Sequence, residues 1–181
     1  RNTSYAEAER YLHERFRREQ GTLNWYCVDY WSDELDLDIA ALKYDLRHLI
    51  RPRDTTLAFL DALKRHHAKV LLVTNAHPRS LELKMEQTGI GEYFDALVSS
   101  HDLHLPKENP VFWARLAQDH PYDPAQTLLI DDSLPVLHSA RQHGIRWLLS
   151  IARPDSQGHE RDTAPFPALH SFDDIMPVPA A

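Results

Sequence analysis

Leu128-Leu129-Ile130-Asp131-Asp132-Ser133 decides how this chain is read. Three apolar residues, entered from Thr127 without polar alternation, predict a short strand buried on both faces, as in parallel sheets. The run stops abruptly in two adjacent carboxylates and a serine. A helical pattern follows, with Leu134, Val136, Leu137 and Ala140 apolar and Gly144 closing it. Ligands of open α/β sheets bind beyond the carboxyl ends of the strands, so the acidic pair is carried to where chemistry is done. Neighbouring carboxylates repel unless a cation or proton sits between them, and hard oxygen donors suit Mg²⁺. The same letters also allow a purely architectural reading, in which Asp131 ends the strand and Asp132 or Ser133 caps the next helix.

Working upstream, the pattern recurs. Val70 to Val73 is a solid apolar strand ending in Thr74-Asn75, followed by a helix that Pro78 opens and Gly89 closes. Phe94 to Val98 is a further strand, ending in Ser99-Ser100. A loop carrying Lys107 then leads into a helix from about Asn109 to Gln118. Downstream, Trp147 to Ile151 is the last strand. Irregular chain from Arg153 then leads to a short helix at Phe172 to Ile175. Strands alternating with helices at this rhythm predict an α/β fold with a doubly wound parallel sheet. A helix capped by Asp54 and Thr55 and ending near His66-His67 precedes the first strand.

Before Arg51-Pro52-Arg53 the pattern is helical only. Residues 4 to 20 form one helix with Tyr5, Ala8, Leu12 and Phe16 on a stripe and Gly21 at its end. Leu23 to Leu35 is dense in aromatics and reads as a second helix. Asp38 caps a third, running to about Leu49.

Composition removes several classes. A net charge of −7 and a pI near 5.9 oppose non-specific binding to nucleic acid, which needs clustered Lys and Arg. A small phosphorylated substrate needs only a few local cations and is not opposed. The single Cys27 rules out a disulfide framework and fits a reducing compartment, and its place beside Trp25-Tyr26 suits packing. No apolar run approaches the roughly 20 residues that span a bilayer, so a cytoplasmic protein without a membrane partner is the expectation. His101 and His104 have ligand-like spacing, but no third ligand is visible near them.

Each of the first three strands in this alternating part thus ends in a polar group that one crevice would collect. A threonine hydroxyl and the Asn75 amides would hold phosphate oxygens, Lys107 would neutralise charge, and the carboxylates would hold a metal. Leu71-Leu72-Val73-Thr74-Asn75, Pro106-Lys107-Glu108 and Leu129-Ile130-Asp131-Asp132-Ser133 resemble motifs II, III and IV of the haloacid dehalogenase (HAD) superfamily. Lys107 follows Thr74 by 33 residues and Asp131 follows Lys107 by 24, one strand-and-helix unit each time. The resemblance spans about Asp54 to Ile151; three motifs in order are far more specific than any one. Thr22-Leu23-Asn24-Trp25-Tyr26-Cys27, Asp29-Tyr30-Trp31-Ser32, Thr74-Asn75-Ala76-His77-Pro78 and Pro154-Asp155-Ser156 are similar to the bacterial HAD-type purine-nucleotide (GMP/IMP) 5′-nucleotidases.

That resemblance implies a helical cap over residues 1–52, a core domain over 53–181, and Mg²⁺-dependent hydrolysis of purine nucleoside monophosphates through an aspartyl-phosphate. It makes Thr74, Lys107 and Asp131 the catalytic set and places Thr74, Asn75, Lys107 and His77 against substrate. Asp132 becomes the direct metal ligand, with Asp131 nearby or bound through water. The family's D-x-D-x-T strand, which carries the nucleophile and sits centrally between the Leu128 and Val70 strands, has no counterpart here. The expectation is that an N-terminal segment carrying it precedes residue 1, and that the chain as it stands does not turn over. Within the family, a sugar phosphate or phosphoglycolate is the alternative substrate; outside it, a catalytically dead binding protein is the alternative role. A metal-free dehalogenase fits less well, because that branch carries Ser and Asn where Asp131-Asp132 stand.

Overall fold

The computed structural model describes residues 4–155 and 157–177. Four helices come first: α1 (Tyr5–Glu19), α2 (Leu23–Tyr26), α3 (Val28–Leu35) and α4 (Ile39–Asp45). Ser4 starts α1 in a capping box. Its hydroxyl accepts from the Glu7 N–H while the Glu7 carboxylate accepts from the Ser4 N–H. Gly21, at φ +82°, turns the chain out of α1.

The single helix expected over Leu23 to Leu35 is two. The chain is extended at Cys27 (φ −84°, ψ 116°), which then serves as the N-cap of α3. In an unbroken helix Trp25 and Trp31, six residues apart, would point about 120° away from each other around the axis. The break instead lets both rings meet Phe16 edge to face, at centroid distances of 5.3 and 5.1 Å. It also lets the Trp31 indole N–H donate to the Trp25 carbonyl at 3.0 Å. Aromatic packing therefore outweighs the helical hydrogen bonds forgone at the break.

Glu19, buried beside this cluster, accepts from Arg18 (3.0 Å), Tyr30 (2.9 Å) and Asn24 (3.1 Å). Arg18 first, then Asn24 and Tyr30, hold its carboxyl below the ordinary 4.5. A depressed carboxyl pKa stabilises the fold above the ordinary value, and that stabilisation is lost as pH falls through the depressed one. Tryptophan fluorescence of a Trp113→Phe/Trp147→Phe protein, in which Trp25 and Trp31 alone emit, is expected to report a loosening of these helices below pH 4.5. Glu19→Gln should remove that acid step and lower stability at neutral pH. An unchanged acid profile in the variant would contradict the assignment.

α5 (Thr56–Arg65) follows, and the alternation begins: β1 (Leu71–Thr74), α6 (Pro78–Thr88), β2 (Ala96–Ser99), α7 (Pro110–Asp119), β3 (Leu128–Asp131), α8 (Leu134–His143), β4 (Trp147–Ile151) and β5 (Ala168–Leu169). Thr55 occupies the N-cap of α5 as expected but does not cap it with its side chain. Its φ is +68°, and its hydroxyl lies 3.3 Å from that of Ser171. All pairings are parallel, but the strands bond as two sheets, β1-β2 and β3-β4-β5. Leu71 to Thr74 pair with Ala96 to Ser99, and Leu128 to Asp131 with Trp147 to Ser150. Among the described residues β1 and β3 therefore each pair on one side only.

That edge position corrects the expectation that β3 is buried on both faces. Leu128 is 45% exposed, Leu129 and Ile130 are half-buried, and only Asp131 is buried. The tightest core lies elsewhere, where Phe112, Trp113 and Leu116 of α7 meet Val136, Leu137 and Ala140 of α8. The Trp113 indole N–H donates to the Ser139 hydroxyl there at 3.0 Å. β5 is a further correction, because a two-residue strand carries no periodicity to read. It is held by Ser150 N–H to Pro167 O (2.9 Å) and Ala152 N–H to Leu169 O (3.0 Å). No helix among the described residues is long and apolar enough to cross a membrane.

Candidate active site

The carboxyl ends of β1 and β3 are joined by one side chain. The Lys107 ammonium donates to Asp131 Oδ2 at 2.5 Å and to the Val73 carbonyl at 3.2 Å. Both partners of the ion pair are almost fully buried, Lys107 at 7% exposure and Asp131 at 8%. The loop bearing Lys107 is fixed in turn by Asn75. Its Oδ1 accepts the Lys107 backbone N–H at 2.9 Å, and its Nδ2 donates to Glu108 Oε2 at 2.9 Å. Both ends of the Asn75 amide therefore help to hold that loop, while Nδ2 carries a second N–H beyond the one given to Glu108. Glu108 also accepts from the Tyr26 hydroxyl at 2.5 Å, tying α2 to the site. Burial, then Glu108, pushes the Tyr26 phenol well above its ordinary range, so it stays a donor.

Thr74 ends β1 with its hydroxyl oxygen accepting from the Ala76 N–H at 3.1 Å, so the hydroxyl proton is left to donate. β2 supports that turn from the side: Ser100 N–H donates to the Thr74 carbonyl (2.8 Å) and the Ser99 hydroxyl to the Ala76 carbonyl (2.8 Å). At the end of β3 the two aspartates divide. Asp131 turns inward, one oxygen on Lys107 and the other accepting from the Ser133 N–H at 2.9 Å. Asp132 is exposed at the cavity wall, and no ion pair among the described residues includes it. Ser133 is the N-cap of α8 but makes no side-chain cap bond, and Asp131 accepts only one backbone N–H, that of Ser133 itself, ahead of the helix, so neither form of the architectural reading holds.

Thr74, Asn75, His77, Lys107, Asp131 and Asp132 all line one cavity of 440 Å³, within the usual range for small-molecule sites. α6 and α8 both begin at its edge, and helix N-termini favour anions. Trp25, Tyr26 and Trp31 form part of the opposite wall. Arg47, Arg51 and Arg53 do not line it, and Arg53 instead donates to the Pro154 carbonyl at 3.2 Å. Asp36-Leu37-Asp38 has the D-x-D spelling but not the place. Asp36 ends α3 in the left-handed region at φ 53°, Asp38 caps α4 through the Ala41 N–H at 2.9 Å, and neither lines the cavity.

His77 reaches back toward α3, its Nε2 3.5 Å from Asp29 Oδ2, and Arg79 meets the same carboxylate at 3.2 Å. Its ring stands edge-on to His101 at 4.9 Å. Burial and His77 hold the His101 imidazole below its ordinary 6.5. Glu108, Tyr26 and His101 were missing from the sequence reading of the site. Their couplings run over 82 residues (Tyr26 to Glu108), or between two loops, and no local spacing encodes them.

Residues 5–144 match the family model of the haloacid dehalogenase-like hydrolases. The chain belongs to that family. Among curated relatives of this hydrolase, the GMP/IMP nucleotidase YrfG of Escherichia coli is 39% identical over 171 residues, covering 94% of the chain and 77% of the relative. The pyrimidine 5′-nucleotidase YjjG of E. coli is 26% identical over 108 residues, which cover 57% of the chain and 48% of that protein. Among solved structures, a HAD phosphatase from Thermococcus onnurineus superposes with a TM-score of 0.76 at 20% identity, over 94% of this chain and 78% of that one. For a HAD-like hydrolase, an inward lysine–aspartate pair beside an outward aspartate is an arrangement that can hold a phosphate and a cation side by side.

Proposed function

We propose that this hydrolase removes phosphate from purine nucleoside 5′-monophosphates of the GMP and IMP type, with Mg²⁺ as cofactor. The observation that carries the reading is the buried Lys107–Asp131 pair set in one cavity with Thr74 and Asp132. The likeness to a relative named for GMP and IMP, across 94% of the chain, supports the substrate class. On this reading the Thr74 hydroxyl and the N-terminus of α6 hold the phosphoryl oxygens. The Lys107 ammonium neutralises charge where it gathers on them. Asp132 would hold Mg²⁺, since its free carboxylate oxygens are the hard donors that cation takes. Bound there, Mg²⁺ supplies Lewis-acid stabilisation of the transferring phosphoryl group.

Residues 1–52 act as the cap and 53–181 as the core. Tyr26–Glu108, Asp29–His77 and Asp29–Arg79 are the contacts through which the cap helices rest on the site. Attack on phosphorus falls to a carboxylate of the family's D-x-D-x-T strand, seated between β1 and β3. The single-sided pairing of those two strands, with Lys107 touching both, supports that placement.

GMP and IMP share an O6 acceptor where AMP carries an amino group. Lys84 on α6 and Lys43 on α4 line the cavity and offer ammonium donors to that edge. Lys84→Met is expected to lower kcat/KM for IMP about tenfold, the worth of one charged hydrogen bond, with AMP hydrolysis unchanged. Equal losses on both would assign Lys84 to the phosphate instead. The function itself is tested by phosphate release with and without Mg²⁺, using the product of the complete reading frame on IMP, GMP, AMP, a pyrimidine monophosphate, phosphoglycolate and a sugar phosphate. Metal-dependent release, about tenfold or more in favour of IMP and GMP, is expected. Preference for phosphoglycolate or a sugar phosphate would overturn the substrate class, and no metal-dependent release would overturn the reading.

A further inference from the structure

At the edge of the phosphate cavity, a thiol and two imidazoles meet from three separate parts of the chain. Cys27 comes from the extended corner between α2 and α3, His77 from the turn after β1, and His101 from the turn after β2. One ligand atom from each lies within 4.8 Å of the others. Two imidazole nitrogens, His77 Nδ1 and His101 Nε2, are buried without a hydrogen-bond partner among the described residues. Buried ring nitrogens are costly to leave unsatisfied, so their persistence calls for an explanation. Among the described residues the only hydrogen bond to the Cys27 sulfur is a weak one from the Tyr30 N–H at 3.4 Å, which leaves sulfur lone pairs for a cation.

We propose that Cys27, His77 and His101 form a binding site for a Zn²⁺-class transition metal, separate from the Mg²⁺ carboxylates. Sulfur with two imidazoles selects borderline or soft cations, whereas Mg²⁺ and Ca²⁺ take oxygen. Zn–S and Zn–N bonds of about 2.3 and 2.0–2.1 Å put tetrahedral ligand atoms about 3.5 Å apart. Side-chain rotation must therefore draw the three inward by about an ångström. The Asp29 carboxylate, 3.5 Å from His77 Nε2, is placed to orient that imidazole from its far side. Because Cys27 precedes α3 and the histidines follow β1 and β2, an ion held here cross-links the N-terminal helices to the sheet beside the cavity that Cys27 and His77 help line.

The test is a Co²⁺ titration of the 181-residue chain in excess Mg²⁺, followed by absorption. The chain has one cysteine, so any thiolate-to-cobalt charge-transfer band reports Cys27 and nothing else. The expected result is one Co²⁺ per chain with that band and tetrahedral d–d absorption, both displaced by Zn²⁺. His101→Gln should weaken Co²⁺ binding by about 10²-fold or more, and Cys27→Ser should abolish the sulfur band. Urea unfolding of each metal-free variant checks that it folds. Wild-type protein that binds no Co²⁺, or binds it without the sulfur band, overturns the proposal without reference to any variant. So does a folded His101→Gln protein with undiminished affinity.

Discussion

Lys107→Met lowers the stability of the chain by about 3–5 kcal/mol and, in the complete enzyme, lowers kcat/KM on the order of 10³-fold. The stability loss follows from burial. With the ammonium gone, Asp131 remains at 8% exposure with a carboxylate oxygen that had been 2.5 Å from its cation. Stranding one partner of a buried ion pair costs far more than the pair contributes net. The two effects separate in the double variant. Lys107→Met with Asp131→Asn leaves no buried charge, and the asparagine Oδ1 still accepts the Ser133 N–H that Asp131 accepts at 2.9 Å. Most of the lost stability should return, while activity should not, because the phosphoryl oxygens still lack their cation. Urea denaturation of the three proteins reads the first effect and phosphate release the second. A single variant less than 1 kcal/mol down would mean the pair is not buried as described.

Asp132→Asn should cost function and leave stability alone. Its carboxylate is exposed at the cavity wall, so an isosteric amide changes stability by no more than about 0.5 kcal/mol. As the proposed direct ligand it should cost more metal affinity than the 10–100-fold lost when mere supporting partners of a metal site are removed. Mn²⁺ binding followed by electron paramagnetic resonance measures this, and the Mg²⁺ concentration for half-maximal turnover should rise in parallel. Two side chains of one cavity would then differ in phenotype, Lys107 losing stability together with activity and Asp132 losing metal binding and activity alone. Unchanged Mn²⁺ affinity would move the ligand role to Asp131.

The contrast between those neighbours marks the boundary of what the letters disclose. Strand ends at Thr74, Ser99 and Asp131 were legible because apolar runs stop there in polar residues, and α6 because Pro78 and Gly89 bracket it. The break at Cys27 was not, since helical periodicity continues through it and only the packing of Trp25 and Trp31 on Phe16 forbids the straight path. Nor was the inward turn of Asp131 against the outward turn of Asp132, which depends on Lys107 arriving from a loop 24 residues away. The Asn75 amide read as a phosphate donor from its position after β1. Its Oδ1 and one Nδ2 hydrogen also hold Lys107 and Glu108, partners 32 and 33 residues downstream that no local spacing reveals. His101 looked like a histidine with no third ligand because Cys27 and His77 reach it only through the fold.

One crystal structure tests the central claim most directly: the complete protein with Mg²⁺ and orthovanadate. Thr74 Oγ1 and Lys107 Nζ should both lie within hydrogen-bonding distance of the vanadate oxygens, with Mg²⁺ on the Asp132 carboxylate. Vanadate held away from Thr74 and Lys107, or Mg²⁺ bound without Asp132, would contradict the account.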